Sequence, residues 1–136
     1  FLLTQALLPA LAVASGSVVN IASIHATATK PGFVAYATSK AAMVGLTRSL
    51  AVDVGARVRV NAICPAAIST PMLRAGFQQA PHKLDELAAY HPVGRIGEPS
   101  EVAKAAAYLA SKAAGFVNGA VLALDGGIAA RLSDPD

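Results

Sequence analysis

A tyrosine and a lysine four positions apart, Tyr36 and Lys40, sit in an alanine-rich stretch of helical composition. At that spacing the two side chains lie one turn apart on one face of a helix. A phenol, with a pKa of about 10, exchanges protons poorly near neutral pH. An ammonium held beside it favours the phenolate, so the pair makes physical sense as an acid/base unit. Ser23 stands thirteen residues before Tyr36 and ends a short β-branched run, SVVNIAS. Ligands of open parallel sheets bind outside the carboxyl ends of the strands. A hydroxyl there can hydrogen-bond a carbonyl or alcohol oxygen while the phenol moves its proton. Each residue alone has a plainer use: a half-buried Tyr, a solvated Lys, a Ser capping a loop.

These side chains need elements to position them. Residues 1–14 read as a largely apolar helix, with Pro9 a kink or a late-turn fault, broken by Ser15-Gly16. Residues 17–23 have strand length and composition, and 24–32, with Thr27, Thr29, Pro31 and Gly32, read as a loop. A helix is expected over about 33–54, ended by Gly55, then a strand over 57–64 stopped by Pro65. Residues 65–98 are punctuated by prolines and read as irregular or short-helical. Pro99 suits the first position of a helix running to about Ser111, with Glu101 placed to cap its backbone donors. Residues 120–125 are a last strand closed by Gly126-Gly127, followed by a polar tail, LSDPD. Helices alternating with strands that are apolar on both faces imply parallel β-α-β units. The fold class expected is α/β, a doubly wound parallel sheet, with residues 1–136 forming part of one domain. Three strands make a thin sheet of that kind, and the apolar start at Phe1 has no capping residue before it; both point to sequence upstream.

Composition removes other readings. The chain is 54% hydrophobic and 14% charged, which fits a large interior or extensive contacts with partner subunits or missing parts of its own chain. Its net charge of +3 comes from lysines and arginines scattered singly, without the cluster or stripe of a nucleic-acid surface. No apolar run reaches the roughly 18 residues needed to cross a bilayer. Cys64, the one cysteine, allows no internal disulfide, fits a reducing compartment, and reads as packed rather than reactive. His25, His82 and His91 lack metal-ligand spacing, so no metal site is expected.

VVNIAS, then YATSKAA, RVNAICPAAISTPM, PVGRIGEPSEVA and GAVLALDGG, in this order and spacing, resemble the short-chain dehydrogenases/reductases over nearly the whole chain. The resemblance implies a Rossmann-type fold binding NAD or NADP, with hydride transfer between the nicotinamide and a carbonyl or alcohol carbon. It makes Tyr36 the general acid or base, Lys40 the residue that lowers the phenol pKa and holds the nicotinamide ribose, and Ser23 the residue that orients the substrate oxygen. The segment from Pro65 to Thr70 matches the family's nicotinamide loop: Ile68 through its backbone and Thr70 through its hydroxyl would meet the carboxamide. Ala66 stands where the family most often has glycine, which is tolerable if its φ is negative.

The same resemblance implies that the chain is the C-terminal half of such a protein. The family's glycine-rich T-G-x-x-x-G-x-G loop does not occur in it, and the family's catalytic asparagine falls before Phe1; Asn20 and Asn61 do not replace it. If the extended course continues past Ser23, then Ile21, Ser23 and His25 share one face, and His25 either borders the substrate together with Ala67 or is a loop histidine at the rim of the cleft. Residues 71–91 look like the family's mobile substrate lid, with His82 and His91 solvated. The helix around Tyr36 carries the small residues Ala35, Ala37, Ser39, Ala41, Ala42 and Gly45, and the resemblance implies helix-to-helix packing there in a homotetramer or homodimer. A cytoplasmic enzyme acting on a small carbonyl or alcohol compound is the reading that follows. The competing one is a truncated fragment or oligomerisation module of the same origin.

Overall fold

The three β-branched and apolar runs form parallel strands in the computed structural model, which describes residues 1–132. The polar tail expected over 132–136 therefore lies outside the described residues beyond Leu132. Strand β1 spans Ser17–Ile21, β2 Arg59–Pro65 and β3 Val121–Leu124, in the spatial order β1-β2-β3. Val18 lies opposite Val60, and Ile63 lies opposite both Ile21 and Leu122. Parallel neighbours cannot be joined by tight turns, so each connection crosses over through helices. Helix α1 (Leu2–Val13) precedes β1, and α2 (Val34–Val54) joins β1 to β2. Helices α3 (Pro71–Gly76), α4 (His82–Tyr90) and α5 (Pro99–Ala110) lie between β2 and β3.

The middle strand is buried from Val60 to Pro65. Its alternation sends Val58 and Val60 to a cluster with Leu50, Ala51 and Val54 of α2, against which Leu8, Leu11 and Ala12 of α1 pack. Cys64, of the same parity, packs with Val44 and Ala22. Helix α5 packs on β1 and β2 and takes the opposite face, which gives helices on both sides of the sheet. Residues Val44, Thr47, Leu50, Ala51 and Val54 make one buried stripe at helical spacing along α2. Tyr36 precedes that stripe and is 44% exposed. Because α2 runs back against the strands, its first turn stands beside the carboxyl end of β1.

Several boundaries differ from the expected ones for identifiable reasons. Helix α1 runs through Pro9 to Val13. Strand β2 begins at Arg59 because the N–H groups of Arg57 and Val58 still donate to the Val54 carbonyl. Gly55 ends α2 in a right-handed conformation, so it is not a left-handed cap. A Cβ there would strike the Ala51 carbonyl and lie 2.6 Å from Asn118 Nδ2, so glycine is needed for close approach. In 65–98, Thr70 caps α3 and Pro71 opens it, while Leu84, Leu87 and Ala88 give α4 its half-buried side. Helix α5 carries a capping box in which Glu101 Oε2 accepts the Glu98 N–H at 2.8 Å.

Candidate active site at the carboxyl ends of the strands

Ser23 follows β1 in extended conformation and is 6% exposed. Its Oγ accepts the His25 N–H at 3.2 Å and caps a single 3-10 turn, Ile24–Ala26. The extended course ends at Ser23, in line with the strand expected over 17–23 and the loop from 24. The condition that would carry it on to His25 is not met, because the capping hydroxyl turns the chain. His25 still reaches the site by another route. Its ring stacks on Phe33, with centroids 4.6 Å apart and planes 9° from parallel, and meets the Tyr36 ring edge-on at 5.5 Å. His25 Nδ1 and Thr29 Oγ1 are 2.9 Å apart. Burial and the Lys30 charge lower the pKa of the imidazole.

Lys40 lies one turn beyond Tyr36, its Nζ 5.6 Å from the phenol ring centroid. The same ammonium donates to the Ile21 carbonyl at 3.1 Å, so the last residue of β1 fixes where the charge sits. Ser23, His25, Tyr36 and Lys40 are thus linked through short contacts at one strand end. Cys64 lies behind them, where burial pushes the thiol up, opposed by a backbone hydrogen bond from Ser23 and the charges of Arg48 and Lys40. A buried thiol shifted upward is packed and inert.

The loop after β2 forms a second wall. Ala66 N–H donates to the Leu124 carbonyl at 3.1 Å, tying the loop to the end of β3. Gly97 bridges Ile68 by donating to the Ala67 carbonyl (2.9 Å) and accepting from Ser69 N–H (2.8 Å). In such a bridge the N–H of the central residue points away from its partner, which leaves the Ile68 N–H directed to the other side. Thr70 Oγ1 accepts the Leu73 N–H at 3.2 Å, so its own hydrogen remains to be donated. Among the described residues Ser15 is the one non-glycine with positive φ, so the Ala66 methyl sits without backbone strain. Two donors on an unstrained loop are the chemistry a carboxamide acceptor needs, and in that respect these residues fit a nicotinamide.

Ala66, Ala67 and Ile68 also line a cleft of about 290 Å³ with His91, Arg95 and Asp125. Here the solvated reading of His91 is corrected, since the residue is 3% exposed. Segment 91–94 folds over the glycine turn after β3, with Val93 N–H on the Gly126 carbonyl at 3.2 Å. His91 Nδ1 donates to the Leu87 carbonyl at 2.8 Å, and its Nε2 is buried without a partner. Gly126, at φ 59°, permits this contact, because a Cβ there would come within 2.7 Å of Val93. His82 is exposed, as expected. The segment expected to be a lid carries α3 and α4.

Two polar arrangements went unrecognised in the sequence. Asp125 accepts the N–H groups of Gly127 (2.9 Å) and Ala129 (3.2 Å), a turn that D-G-G announces. Arg95 grips Glu101 with two hydrogen bonds of 2.8 and 2.7 Å, which with the Glu98 N–H hold the carboxyl at a pKa of about 2. Among the described residues no group of three or more His, Cys, Asp or Glu side chains could hold a metal ion, and no helix is long and apolar enough to cross a membrane.

Comparison with known proteins places this arrangement. Residues 1–129 match a family model described as enoyl-(acyl carrier protein) reductase. The chain is 45% identical over 116 residues to the 2,5-dichloro-2,5-cyclohexadiene-1,4-diol dehydrogenase of Sphingobium indicum, covering 85% of this chain and 46% of that protein. A Burkholderia thailandensis oxidoreductase of the short-chain dehydrogenase/reductase family superposes with a TM-score of 0.88 at 32% identity, over 94% of this chain and 51% of that one. ElxO, solved with NADP bound, gives a TM-score of 0.86 at 30% identity, over 94% and 52% of the two chains. The chain thus spans about half the length of the curated relatives it matches. With the doubly wound sheet, the motif order and a family model matched over residues 1–129, the chain belongs to the short-chain dehydrogenase/reductase family.

Proposed function

We propose that the protein is an NAD(P)-dependent oxidoreductase that interconverts a small carbonyl compound and its alcohol, and that this chain is its C-terminal half. The observation that carries the reading is Tyr36 and Lys40 one turn apart beside buried Ser23, with Lys40 Nζ held 3.1 Å from the Ile21 carbonyl. Ser23 Oγ accepts the His25 N–H with one of its two lone pairs, which fixes the oxygen, and its own hydrogen is available to orient and polarise the substrate oxygen. Tyr36 delivers a proton to that oxygen in reduction and removes it in oxidation. Lys40 stabilises the phenolate that results and holds the ribose hydroxyls. Ile68 N–H and Thr70 hydroxyl hold the carboxamide, with Pro65 and Ala66 shaping the floor, and Ala67 and His25 border the substrate. A bound nicotinamide supplies the hydride donor or acceptor.

The relatives' names span a cyclic diol dehydrogenase and an acetoacetyl-CoA reductase, which supports the carbonyl/alcohol class and no narrower one. Exposed Ala35, Ser39, Ala41, Ala42 and Gly45 on α2 support a homotetramer or homodimer. A cytoplasmic location is in keeping with a single, buried cysteine, Cys64. The test is Tyr36→Phe in the full natural chain, with turnover followed by reduced-nicotinamide absorbance and folding by circular dichroism. Loss of a general acid lowers kcat by about 10²–10⁴ with the fold intact. Near-normal turnover in the folded variant refutes the assignment. Assaying the 136-residue chain beside the full natural chain separates this reading from that of an inactive module of the same family.

A further inference from the structure

His25 is held more firmly than a residue at the rim of a cleft needs to be. The Phe33 stack fixes the plane of its ring, and the contact between Nδ1 and Thr29 Oγ1 at 2.9 Å fixes its rotation within that plane. Its backbone N–H is spent on Ser23 Oγ. What remains is Nε2, on a ring whose centroid lies 5.5 Å from that of Tyr36. A polar atom pre-oriented at that range loses little freedom when it binds, which is how binding groups gain selectivity. We infer that His25 Nε2 reads a second hydroxyl or carbonyl oxygen on the substrate, so that the preferred substrates are diols or hydroxyketones. This rests on the proposed role of Tyr36.

The two rings are neighbours, with centroids 5.5 Å apart, so their polar atoms can meet two oxygens of one small molecule. The smallest molecules that carry both are 1,2- and 1,3-diols. The charges around the ring favour a neutral partner. Lys30 lies 4.7 Å over the Phe33 ring and Lys40 lies beside Tyr36, and neither stabilises an imidazolium. A neutral imidazole hydrogen-bonds a hydroxyl in either tautomer, because Thr29 can donate or accept and the hydroxyl can do the reverse. A lone acyl chain or monofunctional alcohol would leave Nε2 unpaired, and a site built around a hydrogen bond discriminates against the analogue that lacks it.

The experiment compares cis-1,2-cyclohexanediol and cis-1,3-cyclohexanediol with cyclohexanol in the full natural chain, wild type and His25→Phe. Phenylalanine keeps an aromatic ring for the Phe33 stack and removes Nε2. The wild type should prefer at least one diol by about tenfold in kcat/KM, the scale of one neutral hydrogen bond. The variant should lose that preference. A merely structural role for His25 would lower all three alcohols together and leave the ratio unchanged. Equal use of diols and cyclohexanol by the wild type, or a preference that survives in His25→Phe, overturns the inference. If none of the alcohols is turned over, binding decides: the diols must shift the His25 ring resonances in NMR where cyclohexanol does not, and absence of that selectivity overturns the inference. Retained turnover in Tyr36→Phe would instead refute the catalytic reading, whatever the diol ratio.

Discussion

Replacing Asn61 by leucine should cost far more than its neutral chemistry suggests, because two backbone groups depend on it. The side chain lies in β2 and is fully buried. Its Nδ2 donates to the Val117 carbonyl and its Oδ1 accepts the Ala120 N–H, both at 2.9 Å. These bonds hold the segment that enters β3 just before the ladder pairs Ala62 with Val121. Leucine has similar bulk and removes both bonds. Each stranded, dry backbone group costs about 1–3 kcal/mol. Burying leucine in place of the amide returns about 1.5–3 kcal/mol. At mid-range values the net loss is about 2 kcal/mol, a large share of the roughly 5–15 kcal/mol that holds a typical domain together. Urea unfolding of the full natural chain measures it as a lower midpoint at unchanged slope. Hydrogen exchange should speed up at the Ala120 amide first. The site should respond as well: the end of β3 holds the Ala66 N–H, so a loosened β3 raises the KM for the nicotinamide cofactor more than it lowers kcat. A loss below about 0.5 kcal/mol with unchanged Ala120 protection refutes the reasoning, since that is the range of an ordinary surface substitution.

Two further outcomes follow from the same contacts. Thr47→Val keeps shape but removes the acceptor for Asn20 Nδ2 (2.9 Å) and the donor to the Met43 carbonyl (2.8 Å). It should lower stability by about 1–2 kcal/mol in urea and reduce kcat, because α2 carries Tyr36 and Lys40; unchanged values in both would contradict the role given to this bond. Glu101 has a folded pKa of about 2 against an ordinary 4.5, so its contribution is present above pH 4.5 and is lost as pH falls toward 2. Glu101→Gln should therefore unfold more readily than the wild type at about pH 6, with the gap narrowing at about pH 3; parallel urea midpoints across that range would count against the Arg95 clamp.

The elements that frame the site are legible in the sequence where local chemistry decides them. β-branched runs mark β1 and β2, and Pro99 with Glu101 marks the start of α5 in the structure as in the pattern. Alanine-rich residues 34–54 give α2 within one residue of its expected start. What local chemistry does not decide is how the chain folds back. His91 is a lone polar residue beside a proline, and only the docking of its segment on Gly126 makes it buried. For His25 the deciding contact is not local either: the chain turns at Ser23, and the stack on Phe33 brings the ring to Tyr36. Residues 65–98 read as irregular or short-helical, and the bounds of α3 and α4 are not legible there because four prolines from 65 to 92 read as breakers, although Pro71 occupies a helix start.

The precision of the site rests on directed bonds more than on its apolar core. Val44, Leu50, Ala51 and Val54 hold α2 against the sheet, yet apolar packing alone would tolerate a small slide along the strand axis. The bond from Asn20 to Thr47 fixes the height of α2 on β1, and Lys40 on the Ile21 carbonyl repeats the measurement at the site itself. On the other side Asn118 accepts the Val60 N–H and donates to the Ala51 carbonyl, tying β2 to α2 through the loop before β3. Arg59 then binds the carbonyls of Leu109 (2.8 Å) and Ser111 (3.0 Å) at the end of α5. Helix α2 and strand β2, which carry Tyr36, Lys40 and Pro65, are therefore each held to a neighbour by polar side chains, and the loop from Ala66 to Thr70 by backbone bonds. A proton transfer that tolerates errors of about half an ångström requires that kind of hold. This accounts for a strand interior that accepts Asn61 where an aliphatic residue would pack more simply.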